Sequence, residues 1–254
     1  MSDPQASGVE DTFISHLVEL RDRLVKASIG IAIVCAALFA WPGPSAIYDF
    51  LAKPMIASLP VGAKMIATGV ISPFLVPMKV TLLLAFMLAL PWVLYQVWAF
   101  VAPGLYSHEK RLVAPLVISS SLLFFSGVAF CYFFVFGRVF KFISEFAPTS
   151  ITVSPDIENY LDFVMSMCLA FGMTFEVPIV VVVLVRMGLV SVEQLKAMRP
   201  YIIVGAFVVA AIVTPPDIVS QFSLALPMWF LFELGLLVAP IFVKATQAPD
   251  EVSD

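Results

Sequence analysis

Several carboxylates stand where an apolar chain has least reason to place them. Glu176 lies deep in a hydrophobic run, in Phe175-Glu176-Val177-Pro178, and Glu233 lies in another. A carboxylate in mid-span costs roughly 3 kcal/mol or more, so such groups are functional by default. Pro178 removes a backbone donor two residues on and loosens the helix. A charge beside a proline break marks a cavity or an ion path. The competing reading is a protonated carboxyl hydrogen-bonded to a neighbouring helix. Glu233 lies nearer a run's end, where it can snorkel to the interface. Glu19 and Glu109 sit at the ends of apolar runs, each among cations. There they can receive a cationic partner at the membrane surface. They can equally pair locally: Glu19 with Arg23 and Asp22 with Lys26 at i,i+4, and Glu109 with Lys110 or Arg111. Thr214 and Gln221 flank a tight turn, as polar glue for another helix or as hydrogen-bonding groups within the chain. Lys79 can snorkel outward without further role.

Other chemistries lack their residues. His16 and His108 are the only histidines, so no HExxH motif exists and no histidine metal cluster is expected. No P-loop and no Gly-x-Ser-x-Gly occurs. The chain is read as neither enzyme nor cofactor protein, and an intramembrane enzyme is improbable. Cys35, Cys131 and Cys168 all fall in apolar runs, as small packing residues rather than a disulfide framework. The cations are scattered, which argues against nucleic-acid binding.

The elements that position these groups must cross a bilayer. Hydrophobic residues make up 61% of the 254, charged residues 13%, and mean hydropathy is +1.02. A soluble domain carries about 25% charged residues. The class is therefore all-α, a polytopic integral membrane protein. Residues 1–11 read as a disordered cytoplasmic tail, 12–243 as a single six-helix membrane domain, and 244–254 as a cytoplasmic C-terminal tail. Phe13, Leu17, Leu20 and Leu24 recur at helical spacing, giving an amphipathic surface helix that runs into the first span, 24–41. This span is expected to remain uncleaved. Residues 45–72 form an external loop with a short helix stopped near Pro54. The second span, 73–102, is interrupted by Pro73, Pro77 and Pro91 and broken by Pro103-Gly104. The third runs over 112–140 and the fourth over 161–187. Ser191 can cap a short helix between the fourth and fifth spans, although Glu193 stands one place short of a capping box. Pro200 starts the fifth span and Thr214-Pro215-Pro216-Asp217 ends it. That leaves about 14 residues, or about 21 Å of helix, against a core of about 30 Å. The sixth, 218–242, returns at once. A short fifth and sixth helix imply a dent and a thinned bilayer on the external side. With the N-terminus inside, nine of the 14 cations fall on inner segments, which favours N-in/C-in and six spans.

Ser15-His16-Leu17-Val18-Glu19-Leu20-Arg21-Asp22-Arg23-Leu24 resembles the N-terminal signature of the TatC family, core subunits of twin-arginine protein translocases. The likeness continues through Met65-Ile66-Ala67-Thr68, Tyr95-Gln96-Val97-Trp98-Ala99-Phe100 and His108-Glu109-Lys110-Arg111. It extends to Phe175-Glu176-Val177-Pro178, Arg199-Pro200-Tyr201 and Thr214-Pro215-Pro216-Asp217. The resemblance implies a curved, glove-like bundle in the cytoplasmic (inner) membrane, exporting folded proteins with the proton-motive force. It implies that Glu19 and Glu109 receive the paired arginines of signal peptides, within a patch that includes Arg21, Phe100 and His108. It further implies that Glu176 faces a concave membrane cavity and that Thr214 and Gln221 contact the single-span partners TatA and TatB. Pro54, Tyr132 and Asp217 match positions that matter for structure or later steps. Other copies of the chain and membrane lipid complete the expected partners. The rival reading, a proton-coupled solute transporter using Glu176 and Glu233, stays open at this stage.

Overall fold

A computed structural model describes residues 4–58, 65–105, 113–146, 154–214 and 217–244. The described chain is helical, with one isolated bridge between Ile66 and Asp156. The helices are α1 (Pro4–Ala40), α2 (Pro44–Ser58), α3 (Ser72–Leu105), α4 (Val113–Phe130), α5 (Phe136–Phe146), α6 (Ile157–Phe175), α7 (Val177–Arg186), α8 (Val192–Ala197), α9 (Arg199–Val213) and α10 (Ile218–Lys244). Five stretches are long and apolar enough to cross a bilayer: Ile14–Ala40, Ser72–Val101, Val113–Ile143, Ile157–Arg186 and Ile218–Ile241. Helix α9 is apolar but only 15 residues long, about 22 Å. The chain divides into two compact units, Met1–Pro44 with Thr81–Ser121, and Ser45–Val80 with Leu122–Asp254.

Several boundaries differ from the sequence reading. Helix α1 starts at Pro4, inside the stretch assigned to a tail, so the surface helix and first span are one continuous rod. Pro77 and Pro91 do not interrupt α3, which also runs through Pro103-Gly104 to Leu105. Neighbouring donors make prolines tolerable in buried helices. The sixth helix is not short: α10 has 27 residues, so the shortness belongs to α9 alone. Ser191 caps α8 and its box is complete, because Gln194 rather than Glu193 occupies the third position.

The third span carries a feature that apolar pattern hides. Between α4 and α5 the helix widens into a π turn, Cys131–Val135, where Phe136 N–H donates to Cys131 O. Two hydroxyls of α4 are satisfied locally, Ser121 and Ser126 donating to Val117 O and Leu122 O, both at 2.7 Å. The π turn also carries Tyr132, whose hydroxyl donates to Phe50 O of α2 at 2.9 Å, with the two rings stacked at 5.5 Å. Pro54 explains the need. It stands four residues after Phe50 inside α2 and has no N–H for that carbonyl. Helix α2 therefore continues past Pro54 to Ser58, and a distant tyrosine supplies the missing donor. The Tyr160 hydroxyl also donates to α2, to Leu51 O at 3.1 Å.

The core of the second unit is aromatic. Phe136, Phe140 and Phe171 are buried, and Phe140 meets Tyr160 and Phe163 at 5.4 and 5.8 Å. Helices α4 and α6 approach closely through Gly127 and Gly172. A Cβ on Gly172 would strike the ring of buried Phe124, and one on Gly127 would come within 2.5 Å of Phe171 O. Small residues at such crossings let backbones meet. Helix α10 packs along α7 and α9, around Val181, Leu195, Phe232, Leu236 and Ala239. The three cysteines are free thiols, with Cys131 and Cys168 buried.

Tyr132→Phe should destabilise the fold by about 0.5–1.5 kcal/mol, the net worth of one hydrogen bond. In a Pro54→Ala background, which returns an N–H to Phe50 O, most of that cost should vanish. Unfolding in detergent, run as a double-mutant cycle, measures both. Equal losses in the two backgrounds would show that the tyrosine is not replacing the proline's missing donor.

Candidate receptor surface and membrane-embedded polar groups

In the first unit, α1 is pinned to α3 at two levels. Near its start, His16 stacks on Phe100 with centroids 4.3 Å apart. Further along, Trp92 Nε1 donates to Lys26 O at 2.9 Å, and its indole lies so close to Gly30 that a Cβ there would clash. These contacts hold the turn between them, which carries Glu19, Arg21, Asp22 and Arg23. Glu19 Oε1 accepts from Arg23 Nε and Nη2 at 2.9 and 2.6 Å. The i,i+4 pair read from the sequence is thus present. The other one is not: Asp22 pairs with its neighbour Arg21 at 2.9 Å, rather than with Lys26. Arg21 stays solvent-exposed. The structure therefore joins Phe100 to this end of α1 through His16, a contact partner sequence reasoning did not single out. Glu109 and His108 lie outside the described residues.

Glu176 sits at the junction of α6 and α7, where the chain makes a turn and Pro178 opens the second helix. Its residue is only 8% exposed. Its carbonyl accepts from Ile179 N and Val180 N, both at 3.0 Å, so the break is hydrogen-bonded across. Glu233 is paired: Arg199 Nη2 donates to its Oε2 at 2.6 Å, tying the start of α9 to α10.

At the other end of this hairpin, Thr214 terminates α9 in an extended conformation. It is buried, and its hydroxyl donates to Ala210 O at 2.8 Å. Asp217 Oδ1 accepts from Ser220 N at 2.7 Å, capping α10, and Gln221 is half-buried on the next turn. Below them, Ile203, Phe207, Ala225, Leu226 and Trp229 line a shallow apolar groove. Pro54 lies within α2, as described above.

Lys79 does more than snorkel. It pairs with Glu158 at 3.1 Å, with Asp162 at 3.9 Å, and Glu158 also accepts from Ser72 Oγ at 2.7 Å. The i,i+4 acids Glu158 and Asp162 were the available signal. Beside them, Ile66 and Asp156 form the bridge, with Ile157 N donating to Ile66 O at 2.9 Å. Asp156 accepts from Thr68 Oγ1 at 2.7 Å and Thr68 N at 3.0 Å, and it caps α6 through Glu158 N and Asn159 N. The Thr68 hydroxyl, then the backbone amides, hold its carboxyl down at about 2. Through these contacts the run Met65-Ile66-Ala67-Thr68 forms a tie onto the start of α6.

Taken together, the geometry defines an all-helical, multi-pass membrane protein with a charged surface site on its first helix and an acidic break within its fourth span. Known proteins place it further. The profile of the family described as "Sec-independent protein translocase protein (TatC)" matches residues 15–227. The Sec-independent protein translocase protein TatC of Escherichia coli (strain K12) is 49% identical over 239 residues, covering 92% of this chain and 91% of that protein. The TatC of Haemophilus influenzae is 49% identical over 90% of this chain and 89% of its own length. A crystal structure of a twin-arginine translocase receptor, TatC, superposes with a TM-score of 0.78 at 36% identity, covering 89% of this chain and 98% of that one. The chain belongs to the TatC family of protein translocase components. Its relatives are named as transport proteins rather than enzymes.

Because Asp156 titrates at about 2 when folded, below its ordinary 3.8, its tie contributes fully above about pH 4. It is lost as pH falls through 3.8 toward 2. Protection factors of the Thr68, Glu158 and Asn159 amides, taken relative to their intrinsic exchange rates, should fall over that range, and Asp156→Asn should show the lower protection already at neutral pH. Protection factors at these amides that do not change with pH would contradict the assignment.

Proposed function

We propose that this protein is the signal-peptide receptor and core of a twin-arginine protein translocase in the cytoplasmic membrane, with both termini cytoplasmic. Family membership gives the setting, and one observation supports the receptor role most directly. Glu19 stands on the outer face of α1, is already shaped to a guanidinium, and uses only Oε1 for it among the described residues. A carboxylate binds arginine through two charge-assisted hydrogen bonds in a plane, a geometry lysine does not reproduce. Glu109 serves as the second carboxylate, with Arg21, Phe100 and His108 around the pair. The cation distribution supports the N-in orientation.

The remaining parts of the reading assign later steps. Glu176, at its helix break, meets the apolar part of the peptide or its membrane-embedded partners after arginine recognition. Gln221 and Thr214, beside the short α9, form the contact for the single-span subunits TatA and TatB. Short α9 thins the membrane near that contact. The proton-motive force, not a nucleotide, drives transport, and the working complex holds several copies of the chain.

Binding of a paired-arginine signal peptide to the purified chain tests the receptor role against a paired-lysine peptide. Wild type should prefer arginine, and Glu19→Ala/Glu109→Ala should lose affinity by roughly ten- to a hundredfold, the worth of charge-assisted bonds. Glu176→Ala should keep wild-type peptide affinity yet impair transport in membrane vesicles. Equal binding of both peptides to wild type would refute the receptor role. Loss of surface binding in Glu176→Ala would refute the division of labour.

A further inference from the structure

The carboxylate that the receptor reading reserves for an incoming guanidinium already holds one. Both Arg23 Nε and Arg23 Nη2 donate to Glu19 Oε1, at 2.9 and 2.6 Å. Among the described residues, no hydrogen bond reaches Glu19 Oε2. The pair is not a loose surface contact. From Ile14 to Lys26, Glu19 and Arg23 are the only half-buried residues apart from the exposed ones around them. The other carboxylate of this turn is also engaged, since Arg21 gives Nε and Nη2 to Asp22 at 3.1 and 2.9 Å. Each acid on this turn thus carries an arginine, and Lys26 adds one further positive charge. The turn has no surplus negative charge with which to draw any cation indiscriminately.

We infer that Arg23 is an internal competitor for Glu19 and that it sets the preference of this site for arginine over lysine. The inference rests on the receptor reading and adds a specificity-determining residue to it. An incoming side chain must take acceptor positions on Glu19 that Arg23 occupies or borders. A second guanidinium brings two parallel N–H groups and replaces the bonds of Arg23 one for one. An ammonium directs a single N–H to each oxygen and is more strongly hydrated, so the same exchange runs uphill. With Arg23 absent, Glu19 would be a hydrated carboxylate, and either cation would form an ordinary surface pair with it. Arg23 raises the threshold for both ligands, and raises it more for lysine.

The experiment uses the full chain in detergent, with paired-arginine and paired-lysine peptides, and the variants Arg23→Gln, Arg23→Lys and Glu19→Ala. Glutamine is a good helix former, and circular dichroism checks the helix. Arg23→Gln should tighten the lysine peptide by roughly two- to fivefold, the range of a partly exposed pair, and the arginine peptide by less. The arginine-to-lysine ratio then falls, with Arg23→Lys between the two. An unchanged ratio in Arg23→Gln, or weaker binding of both peptides, would overturn the competitor role while leaving the receptor reading intact. Should Arg23→Gln fail to fold, the ratio in Arg23→Lys decides in the same way. A wild type without Glu19-dependent arginine selectivity would fail the receptor reading itself, and the inference with it.

Discussion

A proline inside a helix has no N–H for the carbonyl four residues before it, so each one creates an acceptor that some other group must satisfy. Much of this structure follows from that constraint. Pro54 leaves Phe50 O without its helical donor, and Tyr132 arrives from the third span to supply one. Tyr132 sits on a π turn, where the widened helix alters the direction of its side chains. Pro178 likewise has no N–H for Thr174 O, and the chain ends one helix and starts another at Glu176, whose own N–H turns back to the last carbonyls of α6. Two serines of α4 turn their hydroxyls back onto their own helix.

Charge obeys a parallel rule. Lys79 meets Glu158 and Asp162, Arg199 meets Glu233, and Arg23 meets Glu19. The first two pairs join different helices and serve as ties. The third lies within one helix, where it adds little to stability, so its value lies in what it does to the reactivity of Glu19. In the proposed receptor role, recognition of paired arginines benefits from a carboxylate that is already held by a guanidinium. Such a carboxylate resists casual cations and exchanges only with a ligand of matching shape. The second unit supplies a different surface, with the short α9, buried Thr214 and half-buried Gln221 beside an apolar groove. The proposed recognition turn and the proposed partner contact thus fall on elements of different units, each positioned by its own contacts.

Much of the architecture was legible because the signals that carry it are local. The lengths of apolar runs placed the spans, Pro200 and Thr214 bounded α9 where the structure bounds it, and Glu176 beside Pro178 marked the helix break. The i,i+4 spacing of Glu19 and Arg23 foretold their pair. Errors arose where a local rule was overruled at a distance. Pro77 and Pro91 read as interruptions, yet α3 passes through them. The sixth helix read as short because it follows a tight turn, yet it runs 27 residues. Lys79 read as idle because its acids lie about 80 residues away.

By itself the sequence determined that the chain is helical and membrane-crossing, where its apolar spans lie, and which carboxylates stand in costly places. Those properties depend on composition and on spacing within a few turns. Only the tertiary structure decided which donor meets which orphaned carbonyl and which acid meets which base. It alone joined Tyr132 to Phe50, Thr68 to Asp156, His16 to Phe100 and Arg199 to Glu233. The physical reason is that a hydrogen bond or ion pair is chosen by separation in space within a few ångströms, and no periodicity along one segment encodes its distance to another.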